Sequence, residues 1–255
     1  MKPAVWPPLL GRLRITLRKA ASICSWTLAP TSAVHTRFLY EPDLYLPRHP
    51  YDDIFDGIFG RDRLQNDRQD LCSIGFEPNP LHRLVTRTWP MRSLLLWCER
   101  LRVTPGDKLT FYRQDKGEDN DWGFSLKNLY GGKNAEKHDV PIISLATFVN
   151  EHVGRARPER VLMKMEVEGA EYSMMSEMLE MRSFDYIDKM TYEFHARFCP
   201  LPVQLADGVH EFSKPDCQQY GSKFPGLLSA EFNTTLSEID DEQYRQDGRA
   251  WPNPT

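Results

Sequence analysis

Short apolar runs alternate with amphipathic segments through the middle of the chain. The uncharged run at residues 71–76 has the length and composition of a strand that is buried on both faces of a sheet. Further strands are predicted at residues 109–112, 160–165 and 189–194, and helices at 52–59, 80–89 and 170–182. Residues 141–145 lead into another helical stretch that continues through residue 152, and residues 113–139 are expected to form a long polar loop. This alternation predicts an α/β fold with a mostly parallel sheet.

Charge and regularity divide the chain into three segments. Residues 1–40 contain Lys and Arg but no Asp or Glu, and we interpret them as a basic leader that is disordered or serves targeting. Residues 41–199 hold the predicted α/β domain, and residues 200–255 are expected to form a C-terminal extension packed on it. The leader is compatible with an organelle transit peptide or a secretory segment, so localisation stays open between the cytoplasm and an organelle.

Composition narrows the classes of protein that fit. The 255 residues are 40% hydrophobic and 27% charged, which excludes wholesale disorder and a polytopic membrane protein. No run approaches the roughly 20 apolar residues of a transmembrane helix. The net charge of −4 gives no support for nucleic-acid binding. Five cysteines without a CxxC pair predict packed thiols rather than a disulfide framework or a zinc ribbon.

The first predicted strand, at residues 71–76, ends at a carboxylate. Glu77 follows it, and Asn79 and Pro80 then favour the start of a helix. Ligands of open α/β sheets bind at the carboxyl ends of the strands, where a carboxylate can accept hydrogen bonds from both hydroxyls of a ribose. The alternative is an ordinary solvated glutamate.

Charged residues also follow one face of the predicted strand at residues 160–165. Lys164, Glu166 and Glu168 are spaced by two, so their side chains point to the same side of an extended chain. Ionisable groups on a buried strand are costly unless they pair or line an opening, and Gly169 permits close approach of a ligand or of backbone. We interpret the three residues as part of a site, with a structural Lys–Glu pair as the alternative.

The strand at residues 189–194 ends in a similar way. Glu193 and His195 are two residues apart, and a histidine beside a carboxylate can act as a general base near neutral pH. A histidine that ties down a loop explains the same pattern.

Three other interpretations are weaker. Glu166 and Glu168 on one strand do not by themselves flank a sugar as a glycosidase pair does. His195, Cys199, His210 and Cys217 lack the spacing of a known zinc site. The methionines of residues 174–178 have helical spacing, which predicts core packing rather than cofactor binding.

Four segments together resemble the FkbM-type family of S-adenosylmethionine-dependent methyltransferases. They are GFEPNP at 75–80, VPIISLATFV at 140–149, LMKMEVEGAEYSMM at 162–175 and TYEFH at 191–195. The resemblance spans residues 71–198 and implies a Rossmann-like class I methyltransferase fold. It also implies methylation of a hydroxyl oxygen on a small molecule or a glycan, with S-adenosyl-L-methionine as the cofactor.

The resemblance also assigns roles at the cofactor end of the site. Glu77, with Pro78 and Asn79, would hold the ribose of S-adenosylmethionine. The family's first strand, with its DxGxxxG-like glycine loop, is apparently missing or degenerate in this chain. The glycines in range are Gly57 and Gly60, which follow no apolar run.

At the reacting end, the resemblance places Lys164, Glu166, Glu168 and Gly169 beside the methyl group and the acceptor. The family usually has Asp at the position of Glu166. Candidates for the base that removes the hydroxyl proton are Glu166, Glu168 and His195.

Two alternatives to an enzyme stay open. A methyltransferase-like domain without its glycine loop can serve as a non-catalytic binding module. A wrongly predicted gene start would explain the same loss, because the missing strand would then lie upstream. Under the enzymatic hypothesis the expected partner is the methyl acceptor, with no nucleic acid and no transmembrane helix.

Overall fold

A computed structural model describes most of the second half of the chain and parts of the first. The described residues are 23–28, 39, 50–62, 71–76, 94–95, 108–113, 125–128, 135–141 and 143–238. Glu77, Pro78, Asn79 and the helix predicted at residues 80–89 lie outside them.

Ten strands occur among the described residues. They are β1 (Ile23–Leu28), β2 (Leu71–Phe76), β3 (Leu94–Leu95), β4 (Lys108–Tyr112), β5 (Lys137–Pro141), β6 (Arg160–Met165), β7 (Lys189–Tyr192), β8 (Leu201–Leu205), β9 (Gly208–Phe212) and β10 (Thr235–Glu238).

The α-helical segments lie mostly between these strands. They are α1 (Pro50–Phe59), α2 (Leu145–Phe148), α3 (Gly154–Ala156), α4 (Glu171–Glu180) and α5 (Lys214–Glu231). A π-helical turn, Val149–Val153, joins α2 to α3. Single 3₁₀ turns occupy Ser183–Tyr186 and Ala196–Phe198.

The main sheet has six strands in the order β10-β7-β6-β1-β2-β3, and all of its pairs are parallel. The chain leaves β1 for β2 and β3 on one side and returns to β6 on the other. The carboxyl ends of β1 and β6 therefore flank a topological switch point, where α/β sheets bind their ligands. Leu28 of β1 is in register with Met165 of β6 there. The mixed α/β fold with a parallel sheet is confirmed.

The first strand, expected to be missing or degenerate, is not missing. Residues 23–28, assigned to the basic leader, form β1 in the middle of the sheet and pair with both β2 and β6. Their uncharged sequence ICSWTL resembles that of β2, but the surrounding basic residues obscured it. The glycine loop expected after this strand is still lacking, because the first glycine after β1 is Gly57, within α1.

Two helices begin at side-chain caps that the sequence encodes. Ser144 accepts a hydrogen bond from the backbone N–H of Thr147 at the start of α2. Ser213 and Asp216 form a capping box at the start of α5, in which each side chain contacts the other residue's backbone N–H. These caps fix where α2 and α5 begin.

Two smaller antiparallel sheets accompany the main sheet, and β4 confirms the strand predicted at residues 109–112. β4 and β5 pair in antiparallel fashion, so residues 137–139, expected in a polar loop, belong to a strand. β8 and β9 form a hairpin beyond residue 200. The last described strand, β10, pairs with β7, and the segment expected to be an extension thus completes the main sheet.

The core lies between the sheet and its helices. Met175 and Met178 of α4 are fully buried against Met163 and Met190 of the sheet, which confirms that the methionine stripe is core. A second cluster gathers Tyr172 with residues of the β8–β9 region and α5. A membrane-spanning helix is absent from the described residues, since none of their helices combines the necessary length and apolar character.

A disulfide bond joins Cys199 to Cys217, which corrects the prediction of packed thiols. Both residues are buried. Cys199 directly follows the 3₁₀ turn Ala196–Phe198, and the hairpin β8–β9 leads the chain from there back to the first turn of α5, which contains Cys217. The 18-residue separation gave no indication of this proximity, because it depends on how the hairpin folds back.

Removing this disulfide should destabilise the protein. A cross-link that closes a loop of this size lowers the conformational entropy of the unfolded chain, which stabilises the folded protein by about 3 kcal/mol at 25 °C. A Cys199→Ala/Cys217→Ala variant should lose that part of the free energy of unfolding. Urea unfolding of oxidised and reduced wild-type protein measures the difference. Dithiothreitol should have no further effect on the double variant, and equal stability of oxidised and reduced wild type would contradict the prediction.

Candidate functional site

The charged residues predicted from the sequence meet at the carboxyl ends of β6 and β7. Lys164, on β6, is in register with Thr191 of β7. Its Nζ lies 2.5 Å from Oε2 of Glu166, which follows the strand, and both side chains are buried. The paired ammonium and carboxylate compensate each other's desolvation, as buried charges require.

A tight turn connects β6 to α4. Glu168 and Gly169 have positive φ angles of 48° and 107°. A Cβ on Gly169 would lie 3.4 Å from Phe198, so the backbone angle, rather than crowding, is what favours glycine. The turn places the Glu168 side chain beside the switch point.

Glu171, in the first turn of α4, holds this turn in place. One carboxylate oxygen accepts a hydrogen bond from the backbone N–H of Gly169 at 2.9 Å, and the other from that of Val167 at 3.3 Å. The side chain is fully buried. A carboxylate at a helix N-terminus is also stabilised by the helix dipole.

His195 joins the ends of the two strands. Its Nδ1 lies 2.5 Å from Oε1 of Glu171. Its Nε2 lies 3.1 Å from Glu193 and 3.7 Å from Oε1 of Glu168. The imidazole is 2% exposed, so the surrounding carboxylates, rather than water, dominate its environment.

Those carboxylates determine the charge of His195. Burial by itself lowers the pKa of the imidazole, but the contacts with Glu171, Glu193 and Glu168 outweigh it and raise the pKa to about 11. His195 therefore carries a proton at neutral pH. This protonation opposes the predicted role of general base and favours the alternative, a histidine that ties down the loop.

Glu168 has the opposite character. Burial raises the pKa of its carboxyl group, while His195 and Arg197 partly offset the effect. An Arg197 nitrogen lies 3.1 Å from Oε2 of Glu168, and the guanidinium also stacks over Phe198. Glu168 is thus a carboxylate that accepts a proton more readily than an exposed glutamate does.

The cluster as a whole is acidic. Four carboxylates, Glu166, Glu168, Glu171 and Glu193, contact three cations, Lys164, His195 and Arg197. With His195 protonated, one negative charge is in excess. A cationic ligand would neutralise this excess negative charge.

A segment between β4 and β5 packs against the same turn. The backbone N–H of Leu126 donates to the carbonyl oxygen of Glu168 at 3.4 Å. The Lys127 ammonium donates to the carbonyl oxygens of Phe198 and Pro200 at 3.1 and 3.0 Å. The described part of the long predicted loop therefore lies over the site.

The structure brings Lys164, Glu166, Glu168, Gly169 and His195 together, as the sequence predicted for one edge of the sheet. Glu77, Pro78 and Asn79 lie outside the described residues, directly after β2. The four residues considered for zinc, His195, Cys199, His210 and Cys217, do not form a metal site. Cys199 and Cys217 form a disulfide, and His210 contacts Asp207 on an exposed hairpin.

Sequence reasoning missed Glu171, Arg197 and Lys127. Glu171 had a usable signal, since an acidic residue two positions after a turn glycine at a predicted helix start commonly binds the free backbone N–H groups. Arg197 and Lys127 had none, because their contacts join segments that are 29 and 71 residues apart in the chain.

The comparison with known families gives one match. The family described as the methyltransferase FkbM domain matches residues 55–205, which is more than half of the chain. No curated protein and no solved structure matches the chain.

The stability contributed by His195 should depend on pH. Its pKa rises from 6.5 to about 11 in the folded protein, so the contribution is fully present below pH 6.5 and is lost as the pH rises towards 11. The stability difference between wild type and His195→Gln should therefore shrink from pH 6 to pH 10, as measured by urea unfolding. His210→Gln, at an exposed histidine, is the control. A difference that stays constant or grows with pH would contradict the assignment.

Proposed function

Because the chain belongs to the FkbM methyltransferase family, we propose that it transfers a methyl group from S-adenosylmethionine to a hydroxyl oxygen of a small molecule or a glycan. The observation that carries this proposal is the cluster of charged residues at the carboxyl ends of β6 and β7, next to the switch point between β1 and β6. Ligands of open parallel sheets bind at the carboxyl ends of the strands.

The chemistry of the cluster fits this cofactor. S-adenosylmethionine supplies an electrophilic methyl group on a positively charged sulfonium. The excess carboxylate charge around Glu168 suits a cation of this kind, and the strand order puts a topological switch point next to β6, the strand that leads into the cluster. A Rossmann-like class I fold is the proposed architecture.

The cofactor end of the site is proposed to lie after β2. Glu77, with Pro78 and Asn79, would accept hydrogen bonds from the two ribose hydroxyls. Charge-assisted hydrogen bonds of this type fix orientation as well as affinity. Gly169 would border the ligand at the turn after β6, where its positive φ favours glycine.

Glu168 is the proposed base at the acceptor end. Its pKa is raised by burial, and its side chain keeps 12% of its surface exposed, so an acceptor hydroxyl can reach it. The Glu168 carboxylate would accept the hydroxyl proton while the oxygen takes the methyl group, and the carbon–sulfur bond would break with S-adenosylhomocysteine as the leaving group. Lys164 would orient Glu166, and protonated His195 would hold Glu168 and Glu193 in position.

A non-catalytic binding module is the second candidate. It is favoured by the sequence after β1, which has no glycine before Gly57 and so lacks the family's loop against the methionine part of the cofactor.

Glu77→Ala tests the cofactor site. The variant should lose about 2 to 4 kcal/mol of binding free energy for S-adenosylhomocysteine, a weakening of roughly 30-fold to nearly 1000-fold. Isothermal titration of wild type and variant measures the change, and Glu180→Ala, at an exposed position on α4, is the matched control. Unaltered affinity in a folded Glu77→Ala protein would contradict the ribose assignment.

The same wild-type protein separates the two candidate functions. With labelled S-adenosylmethionine and a panel of hydroxylated small molecules and glycans, an enzyme transfers the label to an acceptor. Binding of the cofactor without transfer to any acceptor would favour the binding module. Absence of cofactor binding would contradict the proposed function itself.

A further inference from the structure

We propose that Glu166, Glu168 and His195 form a binding site for one divalent transition-metal ion of the Mn²⁺ type. The site stands on the geometry of these residues and does not depend on the proposed methyl transfer. Its suggested role in that reaction does rest on the proposed function.

The three side chains converge on one point. One ligand atom from each of Glu166, Glu168 and His195 lies within 4.8 Å of the other two, and all three residues are buried. Ligand atoms about 2.1 Å from a shared ion lie roughly 3 to 4.2 Å apart. Small rotations of the two glutamates therefore bring the three atoms to coordination distance.

The contacts with cations leave ligand capacity on both glutamates. A carboxylate has about four lone-pair positions on its two oxygens. Lys164 contacts Oε2 of Glu166. Arg197 lies 3.1 Å from Oε2 of Glu168 and 3.4 Å from its Oε1. Glu166 can thus keep Lys164 through one oxygen while it binds an ion through the other, and Glu168 can keep the shorter contact with Arg197 while Oε1 turns to the ion.

His195 is oriented as metal-binding histidines are. Its Nδ1 contacts Glu171, and Nε2 is thereby directed towards Glu193 at 3.1 Å and Glu168 at 3.7 Å. An ion bound to Nε2 would take the place of the contact with Glu193. Histidines that bind metals almost always donate their other ring N–H to a carboxylate or carbonyl group. Glu171 is itself held by the backbone N–H groups of Val167 and Gly169, so the imidazole orientation is fixed by the fold.

An entry route lies on the side of the turn at residue 168. The Arg197 side chain is 47% exposed, and the Glu193 side chain, next to His195 Nε2, is 20% exposed. Movement of Arg197 away from Glu168 opens the cluster to solvent. An ion that binds here replaces a proton on Nε2, as metals do when they bind histidine.

The donor set indicates the kind of ion. Two carboxylates and one imidazole, without thiolate, suit Mn²⁺ or a similar divalent ion and leave coordination positions for other ligands. An ion with open positions can bind an acceptor hydroxyl and lower its pKa. The Glu168 carboxylate would then accept a proton from a hydroxyl whose pKa the bound ion has lowered.

Titration with Mn²⁺ alone tests the site. Calorimetry of the full chain should show one ion per molecule in wild type, and at least a tenfold weaker affinity in His195→Gln and in Glu168→Gln. Glu171→Gln, which replaces the anionic partner of Nδ1 with a neutral amide, should weaken binding about 10- to 100-fold. His210→Gln and Glu180→Gln, at exposed positions, should bind as wild type does.

A measurement on wild type covers the case in which a variant fails to fold. Mn²⁺ is paramagnetic, so NMR signals of residues 164–171 and 193–198 should broaden at low ion-to-protein ratios, while those of the β8–β9 hairpin persist. No binding at millimolar Mn²⁺, equal affinity in the folded variants, or broadening elsewhere would overturn the proposal. Titration of the same preparation with S-adenosylhomocysteine tests the proposed function separately, so the failure of one is distinguishable from that of the other.

Discussion

The contact between Glu171 and His195 organises the site. Both side chains are buried, and each is bound to a different strand end: Glu171 to the turn after β6, His195 to the segment after β7. A buried carboxylate without partners would be costly, and so would a buried imidazolium. The carboxyl ends of β6 and β7 are therefore stable only when the turn after β6 and the segment after β7 lie together. Their contact also fixes the direction of the Glu168 side chain.

The remaining charges follow from this constraint. Lys164 compensates Glu166 on one side, and Arg197 compensates Glu168 on the other. Lys127 contacts the segment that carries Arg197, and the Cys199–Cys217 disulfide joins that segment to α5. A parallel sheet brings the strand ends to one edge, but these contacts hold the loops there. The result is a mostly buried acidic cluster at the carboxyl ends of β6 and β7, suited to a cationic ligand.

Local patterns were enough to predict part of this arrangement. The strand at residues 160–165 and the shared face of Lys164, Glu166 and Glu168 follow from periodicity, and the residues do meet. β1 was missed because pairing with β2 and β6, rather than its own composition, makes it a central strand. The charge of His195 was also beyond sequence reasoning, since it depends on Glu171, 24 residues away.

Hydrogen exchange of two amides tests most directly whether the Glu171 carboxylate holds the turn. Its oxygens accept from the N–H groups of Val167 and Gly169, and the amide nitrogen of a glutamine cannot accept. In Glu171→Gln, the account predicts exchange about tenfold faster or more at Val167 or Gly169, with protection of β6 core amides such as Met163 unchanged. Unchanged exchange at both turn amides in the folded variant would contradict it.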